Sequence, residues 1–186
     1  MSKSLSVAQH IVDDVKEAIS SLDETRVKKI ISLLRDAKKN NRKVFLMGEG
    51  PSGLVARALA MQLAGLSYNV FVVGETITSA VEKNDIFIAI TDTGRTPLVL
   101  EAVKIAKEKV QARIVAVTSA EDSPIGKLAD ALLAIKSESI EPEDEETYLS
   151  SQLTGSYPSS KRTVFDIAAI CILEAIASEL TTSSAK

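Results

Sequence analysis

The chain has 186 residues and a net charge of −3, with 45% hydrophobic, 25% charged and 4% aromatic residues. That length suits one domain with a sizeable core. The mild acidity argues against a protein that coats nucleic-acid backbones. One cysteine, Cys171, and one histidine, His10, exclude an internal disulfide, a thiolate cluster and a multi-histidine zinc site. No apolar run approaches the roughly 20 residues of a membrane span. Met1–Asp13 lacks a signal-peptide core. A soluble, cytoplasmic protein that engages neither nucleic acid nor membrane is the expectation.

Residues 1–41 read as two amphipathic helices. Val7, Ile11, Val15, Ala18, Ile19 and Leu22 recur at helical spacing, and Val27, Ile30, Ile31, Leu34 and Ala37 repeat the pattern. Asp23 suits a cap between them, with Glu24 in the next turn where negative charge favours the dipole. Asn40-Asn41 closes the second helix. The pair could pack on its own domain or on a partner chain.

Residues 43–135 read as an α/β core. Lys43–Met47, Asn69–Val73, Asp85–Ile90, Arg113–Thr118 and Ala131–Ile135 are short apolar runs, mostly β-branched. They run apolar without alternation, as strands buried on both faces do. Helical stretches lie between them: Gly53–Leu66, a short one near Ile77–Val81, Thr96–Lys109 and Ser123–Leu128. The pattern predicts an α/β fold, a three-layer α/β/α sandwich around a five-stranded parallel sheet of flavodoxin-like topology. Ligands of such sheets bind at the carboxyl ends of strands, where strand order switches.

Residues 137–157 read as an acidic loop, with six carboxylates between Glu138 and Glu146. A solvated segment is the plain reading and a metal site the sharper one, but nothing in the spacing sets ligand geometry. Residues 161–180 return to helix, with Val164, Ile167, Ala168, Cys171, Ile172, Ala175, Ile176 and Leu180 on one broad apolar face. Cys171 therefore reads as a small core residue, and His10 as a surface helix residue. Thr181–Lys186 reads as a frayed tail.

Three places could carry chemistry. Gly48-Glu-Gly-Pro-Ser-Gly53 follows a strand and opens a helix, a G-x-G-x-x-G spacing whose backbone N–H groups suit an anion. Glu49, Gly50, Ser52 and Gly53 lie in it. Glu75, 22 residues past Gly53, stands where a dinucleotide enzyme places its ribose-binding carboxylate, so a dinucleotide-dependent oxidoreductase is one reading. A tight turn with no ligand is another. Thr91-Asp-Thr-Gly-Arg-Thr96 places Thr91, Thr93 and Thr96, with Gly94 and Arg95, at a helix start, a setting for a compact phosphate. Thr96-Pro97 could instead be only a cap with a first-turn proline, which leaves Thr91 and Thr93 unexplained. Asp92 opposes phosphate unless its side chain turns away. Third, Pro158–Asp166 opens the last helix, with Lys161 and Arg162 adding positive charge; Asp166 could sit there for dipole reasons alone.

Two anion-cradling loops, on the first and third strands, suit a phosphomonoester better than a dinucleotide. The run Gly48–Met61, the segment Val73-Gly-Glu-Thr76 and the loop Thr91–Thr96 together resemble the sugar isomerase (SIS) family, closest to its 6-phospho-3-hexuloisomerase branch. The likeness extends from the N-terminal helices to Leu180. It implies conversion of 3-hexulose 6-phosphate to fructose 6-phosphate through an enediol, no cofactor, no metal, and a homo-oligomer, dimer or tetramer. The family's Ser-x-Ser-Gly-x-Thr phosphate loop is matched by Thr91, Thr93, Gly94 and Thr96. Pro51 stands where its glycine loop has arginine, while Ser52 and Gly53 are kept. Its catalytic glutamate, in a Phe-Glu pair, is matched by Phe165-Asp166 after two inserted residues. Its C-terminal histidine motif is absent.

The resemblance casts Asp166 as the base and Gly50, Ser52, Gly53, Thr91, Thr93, Gly94, Arg95 and Thr96 as the phosphate-binding set. Glu49, Glu75 and Arg162 are possible helpers. A non-catalytic phosphosugar-binding protein on the same fold is the alternative.

Overall fold

The structure, a computed structural model, describes residues 2–137, 153–155 and 161–182. The acidic run from Glu138 to Glu146, Pro158 and the tail beyond 182 lie outside them, as do the side chains of Lys161 and Arg162.

Five strands, β1 (Lys43–Met47), β2 (Asn69–Val72), β3 (Ile86–Ile90), β4 (Arg113–Thr118) and β5 (Ala131–Ala134), pair in the order β2-β1-β3-β4-β5. Every pairing is parallel, with Phe45 opposite Phe71 and Phe87, and Ile88 opposite Val115. This is the flavodoxin-like order, not the 3-2-1-4-5-6 order of dinucleotide enzymes.

The helices are α1 (Lys3–Ser20), α2 (Glu24–Lys39), α3 (Gly50–Gly65), α4 (Pro97–Lys104), α5 (Pro124–Leu128) and α6 (Lys161–Thr182). The Asp23 side chain accepts from Thr25 N–H at 2.8 Å and caps α2. Alternation along the strands decides what each helix layer meets. Val44, Leu46, Ile86, Ile88, Ile90, Val115 and Val117 face a core shared with α1, α2, α3 and α6. Phe45, Met47, Phe87, Ala89, Ile114 and Ala116 face the opposite core, closed by α4 and α5 through Val99, Val103 and Ile125. The two N-terminal helices pack on this chain, α1 against α6 and α2 against β5 and α6.

Three expectations need correction. The short helix near Ile77–Val81 does not form; the segment is a turn followed by chain without regular structure. Thr78 Oγ1 shares its one proton between the carbonyls of Val72 and Glu75, at 2.6 and 2.8 Å, and Lys43 Nζ donates to the Ala80 carbonyl at 2.9 Å. These bonds satisfy the backbone without a helix. The helix after β3 is not uniform: α4 gives way to a π-helical turn over Ile105–Lys109. Cys171 is exposed. The buried face of α6 runs through Val164–Phe165, Ala168–Ala169, Leu173, Ile176–Ala177 and Leu180, because neighbouring helices flank it. Ile167, Cys171 and Ala175 fall just outside that stripe.

Candidate active site

Strand order reverses between β1 and β3, which lie side by side. The crevice beyond their carboxyl ends is where open α/β sheets bind ligands. Both loops singled out in the sequence open there.

The first loop is shaped by a close approach at Gly48. A Cβ on that residue would lie 2.6 Å from the Ser52 carbonyl oxygen and 2.9 Å from that of Ile90. Only glycine lets the end of β1, the first turn of α3 and the end of β3 meet so closely. Helix α3 begins at Gly50, three residues earlier than the sequence suggests, and Pro51 occupies its first turn. Glu49 holds the N-cap position without a capping bond from its side chain.

Ser52 is buried, and its hydroxyl donates to Asp166 Oδ1 at 2.8 Å. Residues 114 positions apart thus meet at the start of α3. Asp166 reaches the spot because Phe165 and Val164 before it, and Ala168 and Ala169 after it, bury α6 against the sheet and α3. Its carboxylate faces the N-terminus of α3, whose dipole favours negative charge.

The second loop follows β3. Thr91 is buried, and its Oγ1 lies 2.8 Å from Thr96 Oγ1. Thr96 stands at the N-cap of α4 without making a capping bond, so the simple capping reading does not describe it. Thr93 Oγ1 accepts from the Arg95 N–H at 3.3 Å, and the Arg95 residue is exposed. Gly94 has φ +61°, and a Cβ there would overlap Ser123 Oγ. Its carbonyl accepts from Ile125 N–H at 3.2 Å, tying the loop to α5. The Asp92 carboxylate accepts from Ser137 Oγ at 3.1 Å, beyond the end of β5. Thr118 and Ser119 hydroxyls hold the Asp92 carbonyl at 2.8 and 2.9 Å. The charge that opposed an anion in this loop is thereby engaged at its far side.

The helper residues separate. Glu75 pairs with Arg57, with Nε and Nη2 at 3.1 and 3.0 Å from the same carboxylate oxygen. Arg57 Nη1 also reaches the Gly53 carbonyl at 3.5 Å. Glu75 therefore sits beside the glycine loop, held by a cation of α3. His10 lies on α1, and its Nδ1 is 2.7 Å from the Ser6 carbonyl. That bond requires the proton on Nδ1. The side chain of Arg162 lies outside the described residues.

Three contributors were not singled out from sequence: Arg57, Ser123 and Ser137. Arg57 carried one usable signal, its place four residues after Gly53 on the same helix face. Ser123 and Ser137 come from other loops and had no local signature. Among the described residues, no group of three or more His, Cys, Asp or Glu could hold a metal ion. Nor is any helix there long and apolar enough to cross a membrane.

Comparison with known proteins fits this geometry. The SIS domain family model matches residues 38–155. An uncharacterized protein of Archaeoglobus fulgidus is 33% identical over 170 residues, 91% of this chain and 86% of its own. A 3-hexulose-6-phosphate isomerase of Mycobacterium gastri is 35% identical over 144 residues, 77% of this chain and 69% of its own. The chain spans 55% of the length of an uncharacterized Aeropyrum pernix protein, to which it is 38% identical over 118 residues. A Methanococcus jannaschii crystal structure, from which a 3-hexulose-6-phosphate isomerase function was inferred, shares the fold. Its TM-score is 0.72 at 24% identity, over 98% of this chain and 91% of that one. With its parallel sheet, its two loops at the switch point and a family match over most of its length, this chain belongs to the SIS-domain family.

Proposed function

We propose that this protein is a phosphosugar isomerase that interconverts 3-hexulose 6-phosphate and fructose 6-phosphate. The observation that carries the reading is the meeting of Asp166 with the first turn of α3 at the switch point. The hydroxyl loop Thr91–Thr96 opens from the adjacent strand. The name carried by the Mycobacterium gastri relative supplies the substrate class.

In this mechanism Thr91, Thr93, Gly94 and Thr96 hold the phosphate with hydroxyls and backbone N–H groups at the start of α4. Gly50 and Gly53 let the first turn of α3 approach the sugar. Asp166, ionised, removes a proton from the carbon between the hydroxyl and the carbonyl. Electrons move into the carbonyl oxygen to give the enediolate, the proton of the neighbouring hydroxyl passes to that oxygen, and Asp166 returns its proton to the former carbonyl carbon. Hydrogen-bond donors around the developing oxyanion lower the barrier. Arg95 and Arg162 supply positive charge, and Glu49 and Glu75 border the sugar. The reaction needs no redox cofactor, since proton transfer between adjacent carbons is redox-neutral overall.

The test is the formation of fructose 6-phosphate from 3-hexulose 6-phosphate by the purified protein, at rates proportional to enzyme. No turnover, together with binding of fructose 6-phosphate, favours the second reading: a non-catalytic phosphosugar-binding protein. Pro51 supports that reading, because the family's arginine at this place is replaced by a residue with no donor.

The protein is also proposed to be a homo-oligomer. Leu54 and Met61, seven residues apart, form an exposed apolar stripe on α3, and Ile167 and Ile170 are exposed on α6. A two-fold contact between copies buries such a stripe against itself. Light scattering at micromolar concentration should give at least twice the 19.9 kDa chain mass, and Met61→Lys should reduce it; a monomer mass for the wild type rejects the idea.

A further inference from the structure

We infer that Ser52 is a positioning residue for the base, not a phosphate ligand. The inference rests on the isomerase reading with Asp166 as base, and it changes the role that the glycine-loop serine has by resemblance. Ser52 is only 7% exposed, and the bond from its Oγ goes to Asp166 Oδ1 at 2.8 Å. A serine hydroxyl has one proton to give. Spent on Asp166, it is not available to a phosphate oxygen.

The surroundings hold this arrangement in place. Ser52 lies in the first turn of α3, whose backbone is pinned to Gly48 and the end of β3 by the close approach described above. Its hydroxyl therefore projects from a rigid part of the fold. Asp166 comes from α6, which packs along α3 but is otherwise separate in the chain. The Ser52–Asp166 bond is a direct polar tie between those two helices at the crevice. A second such tie, Gln62 Nε2 to Glu174 Oε1 at 2.7 Å, lies further down the same seam, away from the loop.

The tie has a chemical consequence. Aspartate is shorter than the glutamate of the family, so its carboxylate has less reach toward a carbon-bound proton. A misplacement of about 1 Å can lower a rate on the order of a hundredfold. Fixing Oδ1 from α3 sets the direction of the second carboxylate oxygen and compensates for the shorter arm. The phosphate is left to the Thr91–Thr96 loop, whose hydroxyls sit on the neighbouring strand end.

The experiment compares wild type, Ser52→Ala, Ser52→Thr and Asp166→Asn by steady-state kinetics on 3-hexulose 6-phosphate. Fructose 6-phosphate binding is measured by calorimetry for each, and thermal unfolding confirms that each is folded. Ser52→Ala is expected to lower kcat by roughly tenfold to a hundredfold, with KM and the fructose 6-phosphate Kd changed by less than about twofold. Ser52→Thr, which keeps the hydroxyl, should recover most of kcat. A Ser52→Ala protein that binds fructose 6-phosphate at least tenfold more weakly overturns the inference whether or not any form turns over, since Ser52 is then a ligand. Unchanged kcat in Ser52→Ala also overturns it. Equal turnover by Asp166→Asn and wild type removes the base itself, and with it the role of Ser52, while leaving the isomerase activity standing. No turnover by wild type defeats the isomerase reading and this inference together.

Discussion

The two ends of the parallel sheet use carboxylates in opposite ways. At the amino edge, Asp85 is buried and accepts from the backbone N–H groups of Lys43 and Glu82 at 3.0 and 2.8 Å. Asp130 accepts from the N–H of Ile114 at 2.8 Å and pairs with Lys107 at 2.6 Å. These groups clamp the starts of β1, β3, β4 and β5 to main chain. At the carboxyl edge, Asp166 and Asp92 meet serine hydroxyls from distant segments. The contrast is between carboxylates held by backbone N–H groups at one edge and carboxylates held by hydroxyls from distant segments at the other.

That contrast can be broken at either end. The largest effect is expected at Asp166. Asp166→Asn keeps the shape and removes the basicity, so kcat should fall by about 10²–10⁴, while fructose 6-phosphate binding by calorimetry stays within a few-fold. Wild-type turnover in that variant would make Asp166 a structural group like those of the amino edge. Glu49 and Glu75 would then be the carboxylates to substitute next.

Asp85→Ala should act on stability instead. It strands two backbone N–H groups at a buried position, at a cost of about 2–4 kcal/mol. Urea unfolding should show a lower midpoint, with kcat per folded molecule unchanged. A variant as stable as wild type would deny the clamp. Thr93→Val tests the carboxyl edge more gently. It removes one hydroxyl and should raise the fructose 6-phosphate Kd by roughly fivefold, about 1 kcal/mol. Unchanged affinity would show that the phosphate cradle lies elsewhere.

The smallest effect concerns pH. Burial pushes the Asp130 carboxyl up, but Lys107, the Ile114 N–H and Arg113 outweigh it and hold it below its ordinary value. The native state then binds that proton less readily than the unfolded chain. This contribution to stability is fully present above the ordinary aspartate value and lost as pH falls from there through the lowered native value. Urea midpoints between pH 6 and pH 3 should therefore fall less steeply in Asp130→Asn than in wild type, once the lower starting stability is allowed for. Parallel slopes would sink this account.

The strands were legible because each is a short apolar run, and burial on both faces demands just such a run. Asp23 and Asn40-Asn41 were legible as helix ends because capping is local chemistry. The glycine loop and the hydroxyl loop were visible for the same reason, since each packs its residue types into six consecutive positions. The segment after β2 reads as helix in sequence but is not one, because its backbone bonds go to the Thr78 hydroxyl and to Lys43, the latter 37 residues from Ala80. Cys171 was misplaced because periodicity identifies an apolar face of α6 but not which flank the neighbouring helices cover. Sequence alone determined the fold class and the two loops, one of glycines and one of hydroxyls, that follow the first and third strands. Only tertiary packing decided that Ser52 gives its proton to Asp166, that Asp92 turns to Ser137, and that Arg57 holds Glu75. Each of those pairs joins segments whose separation in the chain carries no trace of the contact, because the pairing of strands and the packing of helices on them, not local periodicity, bring them together.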